Sequence, residues 1–228
     1  MKVTTTFLSS LSVLIHTSAL QAQVLDLTQL HSYQEQETPA YITRDNTPAD
    51  NPITDIGATL GRVLFYDRTL SKNRSISCAS CHQQKHAFGD PNPVSTGVAG
   101  TTGRHSMRLI NARFSDEGKF FWDERATSLE TQTTMPIQDH IEMGFSGKDG
   151  DPDFSTLVTR IEGLERYRVL FQAVYGDSAV TEERMQSALG RDPVVVPDAP
   201  PAIAHQNSIS IPIPDTTEWS EVSMVPLI

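Results

Sequence analysis

The chain has 228 residues, of which 18 are Lys or Arg and 28 are Asp or Glu, giving a formal net charge of −10. That balance argues against nucleic acid or an anionic lipid surface as a partner. The length allows one large or two small domains, there is no internal repeat, and only two cysteines are present.

Residues 1–22 read as a secretory signal: Lys2 gives a basic start, Phe7 to Leu20 form a short apolar stretch, and Ala19-Leu20-Gln21-Ala22 offers small residues for cleavage. The stretch is too short and too rich in hydroxyls to span a bilayer. No later segment is long and apolar enough for a membrane helix, so the expected location is the periplasm. Residues 23–50 are polar and without sustained period, and are expected to form an arm or linker. Ile56, Leu60, Val63 and Leu64 then recur at helical spacing, with Thr54 or Asp55 as N-cap.

Both cysteines fall in Ser77-Cys78-Ala79-Ser80-Cys81-His82. Cys-x-x-Cys-His is the attachment pattern of c-type haem. On a short helical turn, side chains three apart share a face, so both thiols can add to the vinyl groups of one porphyrin. His82, next in line, supplies an imidazole to the iron. Three other readings stay open: a redox dithiol, half of a zinc site, and a disulfide between Cys78 and Cys81. The first lacks a surrounding βαβ pattern, and the second lacks a further cysteine pair. His86, four residues beyond His82, reads as a surface histidine.

Gly89 to Gly103 is a long stretch of glycine and turn residues, expected to wrap the edge of a flat cofactor. Ser128 to Gln132 starts a helix that Met135-Pro136 stops. Gly147 to Asp153 is a turn cluster; Asp149, Asp151 and Asp153 read as a solvated helix-start loop, since Pro152 interrupts a calcium-loop pattern. Leu157, Val158, Ile161, Leu164, Leu170, Phe171 and Val174 mark two amphipathic helices, and Thr181 to Leu189 a last one with Thr181 as N-cap. Residues 191–228 hold seven of the 14 prolines and are expected to be poorly ordered. With almost no strand signal, the expected fold is an all-α, cytochrome c-like domain over 51–190, with long loops around a covalently bound haem.

Several runs, in order, resemble the bacterial dihaem cytochrome c peroxidases, a family that includes the methylamine-utilisation dihaem enzymes. They are Leu60-Gly61-Arg62-Val63-Leu64-Phe65-Tyr66-Asp67, Ile76–His82, Gly103-Arg104-His105-Ser106-Met107, Leu109-Ile110-Asn111, Phe121-Trp122-Asp123-Glu124-Arg125-Ala126, and Pro136-Ile137-Gln138-Asp139-His140-Ile141-Glu142-Met143-Gly144. The likeness covers about residues 55–190, the first of the family's two haem domains, where hydrogen peroxide is reduced to water. It implies one covalent haem c, with Cys78 and Cys81 as anchors and His82 as iron ligand. Glu142 matches the distal glutamate and Gln132 the neighbouring amide. Trp122 matches an electron relay between haems, and Arg125 is a candidate for a haem propionate or a nearby acid. The implied partners are hydrogen peroxide, a small electron-donor protein of cytochrome or cupredoxin type, and a second copy of the chain in a dimer.

The chain departs from that pattern in four ways. A second haem domain is missing, and the likeness ends near Leu189-Gly190, as in a truncated or frame-altered product. Gly97-Val98-Ala99-Gly100 stands where many relatives carry a histidine that caps the iron. His105 stands where relatives have an asparagine calcium ligand, so no calcium is expected. His140 replaces a proline. The alternative expectations are a monohaem electron carrier, with Met107, Met135 or Met143 as second axial ligand, and an inactive fragment.

Overall fold

The computed structural model describes residues 27–36 and 38–191. The expected leader and all but the first residue of the expected tail lie outside them.

Helix α1 (Asp55–Tyr66) begins where Thr54 turns its hydroxyl back to accept from the Gly57 amide at 3.2 Å. Leu60 and Leu64 on its apolar stripe are fully buried. The helix stops at Asp67, whose carboxylate accepts from the Thr69 amide (2.7 Å) and thereby starts a 3-10 turn over Arg68–Leu70. The same carboxylate accepts from Tyr167 Oη at 2.6 Å and Arg166 Nη2 at 2.7 Å, binding the end of α1 to a helix a hundred residues away.

That helix is α5 (Glu165–Tyr175), preceded by α4 (Phe154–Glu162). The four-residue turn α2 (Cys78–Cys81) and the short α3 (Leu129–Thr134) lie between α1 and α4 in sequence. Helix α6 (Glu182–Gly190) closes the described chain and packs on α1 and α3. Ser128, Asp153 and Thr181 each accept a helix-start amide through their side chains, so α3, α4 and α6 begin where hydroxyl and carboxylate caps predict. The core is the shared interior of these helices: Leu60, Leu64 and Leu70 meet Leu157, Ile161, Tyr167, Leu170, Phe171 and Met185. Arg160 reaches from α4 to the carbonyls of Thr69, Ser71 and Lys72, at 2.8–3.2 Å, and lies over the Phe145 ring.

Two expectations need correction. The Gly89–Gly103 stretch is not wholly irregular: β1 (Thr96–Gly97) and β2 (Gly100–Thr101) pair antiparallel, Thr96 opposite Thr101 and Gly97 opposite Gly100. Two-residue strands carry no alternation that a sequence can display. The Gly147–Asp153 loop is not simply solvated either. Asp153 caps α4, but the Asp151 side chain is only 2% exposed and accepts from Lys72 Nζ (2.6 Å) and Ser146 Oγ (2.7 Å), with His140 Nδ1 at 2.8 Å. Helices with this one hairpin fit a cytochrome c-like fold. Residues 38–51 lie against the domain: Asn46 donates to the Ser115 carbonyl at 2.7 Å, and Asp45 pairs with Arg113. No described helix is long and apolar enough to cross a membrane.

Burial raises the Asp67 carboxyl pKa, but the bonds from Thr69 and Tyr167 and the Arg166 charge outweigh it, holding the group below the usual carboxylate range. The associated stability is therefore complete above the unfolded-chain value of about 4 and is lost as pH falls through the lowered one. Tyr167→Phe removes a charge-assisted bond in a fully buried site and is expected to cost about 2 kcal/mol at neutral pH. Urea unfolding measures this, and the deficit should shrink in acid as Asp67 protonates.

Candidate functional site

The segment after Asp67 delivers the two cysteines. Ser71 Oγ accepts from the Ile76 amide at 3.0 Å, and Ser80 Oγ accepts from the Ser77 amide at 3.0 Å, opening α2. The His82 amide closes the turn on the Cys78 carbonyl at 2.9 Å. Cys78 and Cys81 therefore lie on one face with His82 directly after them, and they form no disulfide. Among the described residues no cluster of three or more His, Cys, Asp and Glu side chains is placed to hold a bare metal ion.

Backbone conformation orients the imidazole. Ala87 and Phe88 both adopt positive φ (57° and 54°), and the chain folds back so that the Gln83 amide meets the Gly89 carbonyl at 3.1 Å. This sets the Phe88 carbonyl 3.0 Å from His82 Nδ1. A carbonyl only accepts, so Nδ1 carries the proton and Nε2 keeps its lone pair for a metal. Burial lowers the His82 pKa against the opposing pull of the Phe88 and Met107 carbonyls, which keeps the ring neutral. Phe65 of α1 lies beside the ring, its centroid 6.5 Å away. Burial likewise raises the Cys81 thiol despite a hydrogen bond from Ser95, with Glu142 and Asp90 adding to the rise.

Cys78, Cys81 and His82 line a cavity of about 350 Å³ together with Phe65, Ile76 and Leu109. Gln132 of α3, Glu142 and Met143 line it too. Glu142 sits on a loop that begins at Pro136. Asp139 Oδ1 accepts from the amides of Ile141 (2.8 Å) and Glu142 (2.9 Å), and Gly144 ends the loop at φ 77°. The hairpin pins it from one side, through Val98 N to Glu142 O (3.0 Å) and Ala99 N to Ile141 O (3.2 Å). A Cβ on Gly97 would overlap the Ile141 carbonyl oxygen, so only glycine permits this approach. Lys72 holds the other side, its amide on the Met143 carbonyl at 2.9 Å. Burial, and then the Asp139 charge, raise the Glu142 pKa, with Arg125 opposing.

The cavity thus gathers Cys78, Cys81, His82, Gln132 and Glu142. Trp122 and Arg125 lie outside its lining, on a tight turn between Phe120 and Ala126. Trp122 is 60% exposed, with Nε1 donating to the His105 carbonyl at 2.8 Å. Arg125 pairs with Asp123 at 2.8 Å and lies 3.5 Å over the Phe121 ring; with Arg104 it holds the Asp123 pKa down to about 2. Of the three candidate methionines, Met143 alone lines the cavity. Residue patterns missed the hairpin, the Phe88 carbonyl and the Lys72–Asp151 pair; Gly97, as a close-approach glycine, was the one available signal. Paired cysteines on one turn, a neutral imidazole with an available Nε2, and an adjoining apolar cavity fit a porphyrin tethered through two thioethers and ligated by His82.

The family model for di-haem cytochrome c peroxidase matches residues 56–191. The methylamine utilization protein MauG of Methylophilus methylotrophus is 33% identical over 143 residues, covering 62% of this chain and 40% of that protein. Cytochrome-c peroxidase IdrP1 of Denitromonas iodatirespirans is 34% identical over 130 residues, covering 57% and 32% respectively. A crystal structure of a MauG-like protein associated with microbial copper homeostasis aligns at TM-score 0.60 and 32% identity, covering 70% of this chain and 46% of that one. The chain therefore spans less than half the length of these relatives.

Gly97→Ala is expected to destabilise the fold by about 1–3 kcal/mol through overpacking against the Glu142 loop. Gly103→Ala, where a Cβ meets nothing within 4 Å, should leave the urea midpoint unchanged and serves as the control.

Proposed function

The chain belongs to the di-haem cytochrome c peroxidase family, and on that premise we propose that the described domain is a c-type haem peroxidase module that reduces hydrogen peroxide to two waters. The observation that carries this reading is the placement of Glu142, a carboxylate with a raised pKa, and Gln132 in the same cavity as Cys78, Cys81 and His82. The thioethers at Cys78 and Cys81 and the Nε2 of His82 would hold the haem. When bound, the haem iron supplies the coordination position and the electron entry that O–O cleavage requires.

The protein's own part is acid–base work. Glu142, ionised, accepts the proton of the incoming peroxide and returns it to the departing oxygen as the O–O bond breaks. Gln132 would hold the peroxide through its side-chain amide. One peroxide takes up two electrons and two protons to give two waters. The electrons come from an external cytochrome or cupredoxin-type donor, and exposed Trp122 is the proposed relay. The acidic chain suits a basic donor. The reading places the protein in the periplasm after removal of a leader at 1–22, with the haem domain over 51–190.

One observation favours a second reading: Met143, 3% exposed, lines the same cavity, so a monohaem electron carrier ligated by His82 and Met143 is the competing assignment. The spectrum of the purified ferric protein separates the two. A high-spin, five-coordinate iron that reacts rapidly with hydrogen peroxide is the expected result. A low-spin iron with a methionine–sulfur absorption band establishes the carrier instead.

Because ionised Glu142 is the working base and its pKa is raised, the rate of reaction with peroxide should climb with pH through a range above that of an ordinary carboxylate. Glu142→Gln is expected to slow that step by about 10²–10⁴-fold and to abolish the rise. Stopped-flow absorbance measures both, and an unchanged rate would remove Glu142 from the mechanism.

A further inference from the structure

We propose that Arg191, at the end of α6, is the anchor for a haem propionate. The inference rests on the haem reading above and adds to it the residue that recognises the polar edge of the porphyrin. Arg191 lines the cavity, and its Nε is buried without a hydrogen-bond partner among the described residues. Buried guanidinium donors are normally satisfied, so an orphan facing a ligand cavity points to an acceptor that arrives with the ligand.

The fold makes room for this side chain. A Cβ added to Gly57 would lie 2.8 Å from Arg191 Nη1 and 2.9 Å from its Cδ, so the first turn of α1 is hollowed to seat the arginine. The other arginines lining the cavity have partners: Arg113 pairs with Asp45, and Arg44 Nε donates to Asn46 at 3.0 Å. Two of the three acids there are engaged too, Glu130 by Asn51 Nδ2 at 2.9 Å and Glu117 by Ser115 Oγ at 3.2 Å, while the third, Glu142, belongs to the loop held by the hairpin and Lys72. Among the described cavity-lining cations, Arg191 is the one with a buried donor that has no partner.

Its position agrees with the shape of the group. Vinyl and propionate substituents leave opposite edges of the porphyrin. Phe65 marks the His82 end of α1, and Gly57, eight residues earlier, lies about 12 Å away along the helix. The two thioethers would fix the vinyl edge at α2, and Arg191 lines the same cavity from the Gly57 end of α1. A guanidinium fork there can take a carboxylate through two parallel bonds, a geometry that lysine cannot reproduce.

The test uses the full chain, produced in a host that installs c-type haem, with Arg191→Gln, Arg191→Lys, Gly57→Ala and Thr54→Ala variants. Two properties are read: the ferric/ferrous midpoint potential and the propionate bending band in the resonance Raman spectrum. Arg191→Gln is expected to lower the potential, because a cation beside the haem favours the ferrous state, and to shift the bending band. Arg191→Lys should keep the potential and still shift the band. Gly57→Ala displaces the guanidinium but also crowds Thr54 Oγ1, the cap of α1, so it is read beside Thr54→Ala, which removes the cap alone and should leave the band unchanged; a band shift in Gly57→Ala and not in Thr54→Ala carries the test if Arg191→Gln fails to fold. Unchanged band and potential in haem-loaded Gly57→Ala and Arg191→Gln overturn the proposal. Absence of a haemochrome band from the unsubstituted chain overturns the haem reading itself, a different failure with a different readout.

Discussion

The buried carboxylate of Asp67 holds the architecture in register. It ends α1, starts the turn that leads to the cysteines, and takes hydrogen bonds from Tyr167 and Arg166 of α5. A carboxylate in such a place is unfavourable unless every lone pair finds a donor. Its satisfaction therefore depends on α1, the following turn and α5 being correctly placed together. From that point only nine residues separate Asp67 from Ser77, and Arg160 fixes the carbonyls of three of them. The position of α2, and with it the thiols and the imidazole, follows from this short tether.

The same tether governs the loop that carries Glu142. Lys72 gives its amide to Met143 and its ammonium to Asp151, while its aliphatic stem covers Gly144, where a Cβ would come within 2.5 Å of Lys72 Cδ. The hairpin at residues 96–101 holds the same loop through Val98 and Ala99. Glu142 is thus placed relative to His82 by two rigid supports. One of them belongs to the segment that presents the cysteines. A distance between an acid–base group and a ligand site is best kept constant when both hang from one short stretch of chain.

Helices were largely readable from residue patterns because each signal was local. Thr54, Ser128, Asp153 and Thr181 cap their helices as their residue types suggest, and Leu60, Leu64, Leu157 and Ile161 are buried where the period puts them. What was not readable depends on partners distant in sequence or on backbone atoms. Asp151 looked solvated because its partner Lys72 lies 79 residues earlier. The hairpin has two rungs and no alternation. The Phe88 carbonyl that sets the His82 tautomer belongs to a main-chain turn, and no side-chain pattern announces it. Cavity residues Cys78, Cys81, His82, Gln132 and Glu142 were all named from motifs. Their motifs could not reveal that Trp122 and Arg125 lie outside the cavity lining, on a turn where Phe121 and Glu124 take positive φ.

Electrostatics set half-buried Glu142 apart from buried Asp67. Asp67 is surrounded by donors and a cation, so folding favours its charged form. Glu142 is half-buried near the like charge of Asp139, so folding favours its neutral form. By linkage, the stabilising contribution of protonated Glu142 is present at low pH and is lost as pH rises through the raised value. Above it the fold holds an ionised carboxylate in a place that resists the charge. Among the described residues, the Arg125 charge is the side-chain contribution that opposes that cost. The remaining compensation is carried by the backbone, through the Asp139 bonds to Ile141 and Glu142, the hairpin, and Lys72. A group meant only for stability would be arranged like Asp67. A carboxylate held against its preferred charge by main-chain restraint, at the wall of a cavity, is the arrangement on which the proposed proton exchange rests.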